Sequence, residues 1–214
     1  DADLVLLAVG VRPDTALAKA AGAPLGKSGA IAVDFSQKTG REGIYAVGDC
    51  CESYHLVSRR WVHIPLGDIA NKQGRVAGAN IGGKAMIFPG IVGAQSFKVF
   101  GLEVAAAGID EREAAAAGYH PVSAAIWGNA IAPSMPGSKK VGIRLVADRA
   151  SGRLLGAQAV GETGAVSRVN ALACALWAGL GIDEIGYLDL AYAPPFSPAW
   201  DPIHIAAQTL KRKM

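Results

Sequence analysis

The sequence predicts an α/β part followed by an α+β domain with an antiparallel sheet. Two short apolar segments that end in glycine, at residues 4–10 and 44–48, are typical of strands in a parallel sheet. From about residue 93 the pattern changes, and residues 141–160 alternate around a polar turn, which indicates a β-hairpin. With 214 residues, 51% hydrophobic and 18% charged, the chain is large enough for one large domain or two small ones around a buried core.

The α/β part begins with the apolar run Leu-Val-Leu-Leu-Ala-Val at residues 4–9, closed by Gly10. A continuous run of this kind predicts a fully buried strand, which needs a neighbouring strand on each side. Because no strand precedes this one, we expect the chain to be a piece of a longer protein. The elements predicted next are a helix over 15–21, a strand over 31–35, a strand over 44–47 and a helix over 66–82.

The helix over 66–82 is unusually rich in small residues. Gly67, Gly74 and Gly78 each cost a helix about 1 kcal/mol relative to alanine. Small side chains allow another backbone or a flat ligand to approach the helix closely. Tight helix packing alone explains them equally well.

The α+β domain is predicted to combine strands with capped helices. Asp110 and Glu113 form a capping box, Asp183 is predicted to cap a short helix reaching about residue 188, and Asp201 followed by Pro202 begins the last helix. The remaining elements are strands over 96–100, 122–127, 141–146 and 154–160, and helices over 114–117 and 163–179.

Composition argues against several classes of protein. The net charge of +3 is small, and no Lys/Arg stripe is interleaved with aromatic residues, so we expect no nucleic-acid partner. The apolar runs are much shorter than the roughly 18 residues of a membrane span, so we expect a soluble protein with no membrane partner.

The cysteines and histidines predict neither a disulfide framework nor a metal site. Cys50, Cys51 and Cys174 are odd in number, which favours a reducing, cytoplasmic compartment. We expect the adjacent pair to be structural or incidental thiols and Cys174 to lie in the core. Neither residue type shows the spacing of metal ligands.

The sharpest local motif is Ile-Tyr-Ala-Val-Gly-Asp-Cys at residues 44–50. A strand here delivers the carboxylate of Asp49 to the carboxyl edge of a sheet, where open α/β folds bind nucleotides. Gly48 allows the backbone to come close to a ligand. Asp49 can accept hydrogen bonds from polyol hydroxyls, although a strand-end aspartate is commonly only a turn or cap residue.

The order of motifs along the chain indicates the kind of protein to which this segment belongs. The motifs are Gly-Val-Arg-Pro at 10–13, Gly-Asp at 48–49, Ile-Pro-Leu at 64–66, Ala-Asn-Lys-Gln-Gly-Arg-Val-Ala-Gly at 70–78 and Ala-Tyr-Ala-Pro-Pro-Phe at 191–196. Together they resemble the C-terminal half of the FAD- and NAD(P)H-dependent pyridine nucleotide–disulfide oxidoreductases. The resemblance covers essentially the whole chain and is closest to the branch of coenzyme A-disulfide reductases, NADH oxidases and persulfide reductases.

The resemblance implies a layout. Residues 1–13 would end the nicotinamide-binding domain, residues 14–92 would be the returning half of a Rossmann-like FAD-binding domain, and residues 93–214 would form the dimerisation domain of a homodimer. It also implies that electrons pass from NAD(P)H through FAD to a cysteine that reduces a disulfide, a persulfide or a peroxide. Coenzyme A is a further ligand in part of this branch.

Site residues follow from the matching motifs. Asp49, after Gly48, would bind the ribityl chain of FAD. Pro65, Leu66, Gly67 and Ala70 would lie against the flavin ring. The resemblance also implies that Tyr192 reaches across the dimer toward the partner's active site, with a packed aromatic as the alternative.

Two differences from the motifs of related enzymes narrow the choice of mechanism and substrate. Glutathione-reductase-like relatives carry a His–Glu pair, but His204 has no partnered glutamate nearby in the sequence. Members that bind coenzyme A often have a Tyr-Tyr-Pro-Gly-like stretch, where this chain has Ser134 and Met135. These residues argue against coenzyme A disulfide as the substrate and leave persulfides, polysulfides or oxygen open.

The chain contains neither a Gly-x-Gly-x-x-Gly motif nor a Cys-x-x-x-x-Cys motif. We therefore expect it to be inactive by itself. An NADH oxidase that reduces oxygen, and a dimerisation module without chemistry, remain the alternatives.

Overall fold

A computed structural model describes all 214 residues as two compact units. The first comprises Asp1–Tyr54 and Trp61–Pro89, and the second comprises His55–Arg60 and Gly90–Met214. The helices are α1 Ala16–Ala20, α2 Gly67–Ile81, α3 Glu111–Ala116, α4 Ala165–Ala178, α5 Ile182–Ile185 and α6 Pro202–Lys211, with a 3₁₀ turn at Gly48–Cys50. The strands are β1 Ser53–His55, β2 Arg60–Val62, β3 Gln95–Val99, β4 Leu102–Gly108, β5 Pro121–Asn129, β6 Lys140–Asp148 and β7 Leu154–Gly161. No helix has both the length and the apolar character that a membrane span requires.

The predicted buried strand at residues 4–9 is wrong. These residues form neither strand nor helix, and Leu4 is 86% exposed and Val9 92% exposed. The physical reason is that a strand is held by its ladder, and no other segment of this chain pairs with these residues.

The predicted strands over 31–35 and 44–47 are also wrong, because they are reduced to isolated bridges. Ile31 bridges to Cys51, and Lys38 bridges to Tyr45. Between them Asp34 accepts hydrogen bonds from the amides of Ser36 and Lys38, which closes a tight turn before a longer ladder can form. Ile31 and Val33 nevertheless contribute to the small core of this unit, whereas Phe35, the third apolar residue of the predicted strand, is 39% exposed.

The second unit is built on a five-stranded antiparallel sheet in the order β3-β4-β7-β6-β5. The predicted hairpin is confirmed as β6 and β7, and helices α4 and α6 pack against the sheet. The fully buried apolar side chains include Ile143, Leu145, Leu154, Leu155, Leu172, Leu176, Ile185, Ile203 and Leu210. Sequence reasoning missed β4, because its Ala-rich sequence has little intrinsic preference for a strand.

Helix ends were predicted with mixed success. The capping box of Asp110 and Glu113 and the N-cap of Asp201 are both confirmed. The predicted cap at Asp183 is wrong, because the N-cap of α5 is Gly181, two residues earlier, and Glu184 Oε2 accepts a hydrogen bond from the Gly181 amide at 2.7 Å. The helix also ends at Ile185, short of residue 188.

The prediction that Cys174 lies in the core is wrong, because its side chain is exposed on α4. Leu172 and Leu176 occupy the buried face of the helix, and residue 174 falls between them on the opposite side. Trp127, Trp177 and Trp200 are all more than half exposed, so they are not core residues of this chain.

His55 is a buried histidine of the second unit. It is 2% exposed, and its Nδ1 accepts a hydrogen bond from the Ser58 amide at 3.3 Å. Burial lowers the pKa of the imidazole from 6.5 to about 4, because the charged form is poorly solvated there.

We expect this burial to make the fold acid-sensitive. Between pH 6.5 and about 4 the unfolded chain binds a proton at residue 55 that the folded chain does not, so the free energy of unfolding falls as the pH falls. The full effect is roughly 3 kcal/mol and is present above pH 6.5. Denaturant titrations should show a shallower pH dependence for His55→Gln. The control His120→Gln changes an exposed histidine and should keep the wild-type slope. Equal slopes for all three proteins would contradict this assignment.

Candidate functional site

The Gly-Asp motif lies in a 3₁₀ turn that rests directly on α2. Gly48 has a φ of +77°, and a Cβ placed on it would lie 3.2 Å from the Cβ of Ala70. A larger residue is therefore disfavoured both by its backbone conformation and by the space available. The structure thus brings together three of the predicted site residues, Gly48, Asp49 and Ala70, within the first unit.

Gln73 of α2 fastens the turn to the helix. Its side chain is fully buried, and its Oε1 accepts a hydrogen bond from the Gly48 amide at 2.7 Å. Its Nε2 donates to Ser53 Oγ at 2.9 Å. Sequence reasoning missed this role. The sequence did contain a signal for it. Gln73 lies on the same side of the helix as the apolar residues Ile69 and Ala77, which predicts a buried amide that needs hydrogen-bond partners.

Asp49 is exposed, and its carboxylate makes no hydrogen bond within the chain. Its backbone carbonyl accepts a hydrogen bond from His63 Nε2 at 2.7 Å, which defines the orientation of the turn. The structure therefore holds the backbone of Asp49 in place and leaves both carboxylate oxygens available as acceptors for a ligand.

The beginning of α2 offers the complementary donors. Leu66 is the N-cap residue but supplies no side-chain hydrogen bond to the first turn. The first amides of a helix without such a cap are free to donate, and the helix dipole favours an electron-rich group there. Pro65 and Leu66 are half-buried and Gly67 is exposed, so this segment is accessible.

These residues fit one half of a flavin site. An unpartnered carboxylate suits the hydroxyls of a ribityl chain, and free helix amides suit the carbonyl edge of a flavin ring. The small side chains of Gly67 and Ala70 leave room for a flat ring system.

The adjacent thiols are not suited to be nucleophiles. Burial, followed by the neighbouring Cys50, raises the pKa of Cys51 to about 12. Cys51 Sγ lies 3.4 Å from the Gly48 carbonyl, and Cys50 Sγ lies 3.4 Å from the Val47 carbonyl. Both thiols donate into the turn, which agrees with a structural role.

The second unit presents Tyr192 on its surface. Tyr192 is 57% exposed and lies in the segment of residues 186–201, between α5 and α6. The Pro194 carbonyl of this segment accepts a hydrogen bond from the Ala132 amide at 3.0 Å. Ala132 belongs to the 130–139 loop, which connects β5 to β6 and carries Ser134 and Met135. The two stretches singled out by their sequence therefore lie side by side.

His204 is placed as the sequence predicts, inside the last helix. Its Nε2 lies 2.9 Å from the Leu188 carbonyl, and its ring packs edge-on against Trp200. It is bonded to the backbone, and no glutamate accepts a hydrogen bond from it.

Comparison with known proteins gives a consistent picture. A sequence model described as pyridine nucleotide-disulphide oxidoreductase matches residues 1–74, and one described as the dimerisation domain of that family matches residues 94–202. The NAD(P)H sulfur oxidoreductase (CoA-dependent) of Pyrococcus furiosus is 40% identical over 98% of this chain and 47% of its own length. An NADH oxidase of Methanocaldococcus jannaschii is 32% identical over the whole chain and 47% of its own length.

A solved structure is equally similar. The NAD-dependent persulfide reductase from A. fulgidus superposes with a TM-score of 0.94 at 41% identity, over 99% of this chain and 40% of that protein. The chain spans about half the length of the curated relatives named above.

We expect Gln73→Leu to lower the stability of the first unit. The substitution keeps the volume but leaves the Gly48 amide without its acceptor, which costs about 1–3 kcal/mol. The matched control is Asn71→Leu, the same kind of change at an exposed position of the same helix. Chemical denaturation should separate the two variants, and an equal free energy of unfolding for both would contradict the role given to Gln73.

Proposed function

Because the chain belongs to the pyridine nucleotide-disulphide oxidoreductase family, we propose that it is the C-terminal half of an FAD-dependent reductase. The complete enzyme passes electrons from NAD(P)H through FAD to a cysteine outside this chain, which reduces a persulfide, a polysulfide or a disulfide. The observation that carries the proposal is the Gly48–Asp49 turn, which Gln73 fastens to α2 in a chain that matches this family.

The proposed layout follows the family. Residues 1–13 end the nicotinamide-binding domain, residues 14–92 form the returning half of the Rossmann-like FAD-binding domain, and residues 93–214 form the dimerisation domain. Two observations support it: the family matches end at residue 74 and resume at residue 94, and the second unit's continuous part begins at Gly90.

In this proposal, FAD is held by residues of the first unit. Asp49 accepts hydrogen bonds from the ribityl hydroxyls, and Pro65, Leu66, Gly67 and Ala70 line the flavin ring. The contacts of Gly48 with Gln73 and Ala70 hold the turn that carries Asp49 against α2. When bound, FAD supplies the two-electron chemistry that links NAD(P)H to the acceptor.

A sulfur acceptor is favoured by the pattern of similarity. The relatives named for sulfur or persulfide reduction are 40% and 41% identical, whereas the NADH oxidase is 32% identical. The name of the first relative also includes coenzyme A, which supports it as a further ligand. Ser134 and Met135 offer no aromatic surface to such a ligand, so we propose a small persulfide or polysulfide as the acceptor.

The second unit is proposed to form a homodimer that brings Tyr192 to the partner's active site. Support comes from the match to a dimerisation domain and from the exposure of Tyr192 and Phe196, which are 57% and 77% exposed. Exposed aromatic side chains close together in one segment are typical of an interaction site.

The test is a product assay on the complete protein that contains this chain, purified with its flavin. We expect NAD(P)H to be oxidised faster with inorganic polysulfide than with oxygen, and sulfide to be released. The 214-residue chain alone should show no NAD(P)H-dependent reduction of a disulfide.

Each other outcome has a definite meaning. Faster turnover with oxygen supports the NADH oxidase instead. A complete protein that dimerises but oxidises no NAD(P)H supports a dimerisation module. Disulfide reduction by the isolated chain would contradict the proposed division of the enzyme.

A further inference from the structure

Arg168 of α4 and Asp201 at the start of α6 form the one ion pair of this chain in which both side chains are buried. Their side chains are 6% and 9% exposed. Arg168 Nη2 lies 2.8 Å from Asp201 Oδ2, and Arg168 Nε lies 3.1 Å from both carboxylate oxygens. This fork-like geometry fixes the orientation of both groups.

Arg168 also holds the base of the 130–139 loop. Its Nη2 donates to the Ala130 carbonyl at 2.8 Å, and its Nη1 donates to the Gly164 carbonyl at 3.0 Å. Ala130 in turn donates its amide to the Lys139 carbonyl at 2.8 Å, which closes the loop. The guanidinium is thus the link between α4 and the first residue of this loop.

Asp201 holds the end of the 186–201 segment, which carries Tyr192. Its Oδ2 accepts a hydrogen bond from Ser197 Oγ at 2.8 Å, and its Oδ1 accepts one from the Ile203 amide at 2.9 Å. Because Asp201 is the last residue of this segment and the N-cap of α6, its carboxylate ties the end of the segment to that helix. Ala132 and Pro194 then join the segment to the 130–139 loop.

Stability alone does not explain a buried ion pair at this place. Taking two charges out of water offsets most of their attraction, and well-packed apolar residues often serve a fold equally well. What an ion pair adds is a defined geometry between the groups that share it. Here the groups that share it are the two surface stretches beside Tyr192.

We propose that Arg168 and Asp201 are positioning residues for the acceptor-binding face, which consists of the 130–139 loop and the 186–201 segment. Through Ser197 and Ala130 they set where Tyr192 stands relative to the loop that carries Ser134 and Met135. The inference rests on the proposed function, in which this face meets the sulfur acceptor.

The test uses the complete flavin-loaded enzyme. Stopped-flow absorbance separates its two half-reactions, which are the reduction of the flavin by NAD(P)H and the transfer of electrons to the sulfur acceptor. Ser197→Ala removes the tie between the segment and the ion pair but leaves the pair intact, and Arg168→Lys keeps the charge but loses the fork. With inorganic polysulfide as the probe, we expect KM to rise about threefold for Ser197→Ala and about tenfold for Arg168→Lys. Flavin reduction by NAD(P)H should keep its wild-type rate in both.

Two controls distinguish positioning from a general loss of structure. Ser167→Ala removes an exposed hydroxyl from the same helix as Arg168 and should leave the KM for polysulfide unchanged. In a Tyr192→Ala background, Ser197→Ala should have no further effect on KM, because its effect acts through the segment that carries Tyr192.

The proposal is overturned if Ser197→Ala and Arg168→Lys keep the wild-type KM, or if both slow the two half-reactions equally. If Arg168→Lys does not fold, the measurement on Ser197→Ala decides alone. Failure of the proposed function has a different signature, since the unmodified enzyme would then not reduce polysulfide at all.

Discussion

Gln73 and Arg168 are buried polar side chains, and each must find its hydrogen-bond partners inside the protein. This requirement organises both regions to which function is assigned. Gln73 draws the Gly48 amide onto α2, and Arg168 draws Ala130 and Asp201 together. An unsatisfied polar group at either place would be costly. In each unit one buried side chain therefore helps to fix the surface segment to which function is assigned.

The residues proposed to meet ligands show the opposite property. The carboxylate of Asp49 has no partner in the chain, and Tyr192 is more than half exposed. Neither side chain is held by contacts of its own functional group. The backbone of Asp49 is held instead by His63, and the segment that carries Tyr192 is bonded to Ala132 through Pro194 and to Asp201 through Ser197. This arrangement leaves the reactive or binding groups free while fixing where they stand.

The sequence predicted those elements whose structure is decided by residues close together in the chain. The β6–β7 hairpin and the caps at Asp110 and Asp201 follow from neighbouring residues, and they are confirmed. The strand at residues 4–9 was wrong because a ladder depends on distant partners. Gln73 and Arg168 were missed because their importance lies in what they contact across the fold. The motif at Gly48 and Asp49 could be singled out in the sequence because its residues are consecutive, and its role in binding FAD stays a prediction.

The most direct measurement is the flavin content of the complete protein, read from its visible absorption spectrum before and after denaturation. The account predicts that the protein carries FAD and that Asp49→Asn loses most of it. Glu42→Gln, a matched change of an exposed carboxylate in the same unit, should retain it. Equal flavin content in the Asp49→Asn variant and the unmodified protein would contradict the assignment of this turn and helix as part of a flavin site.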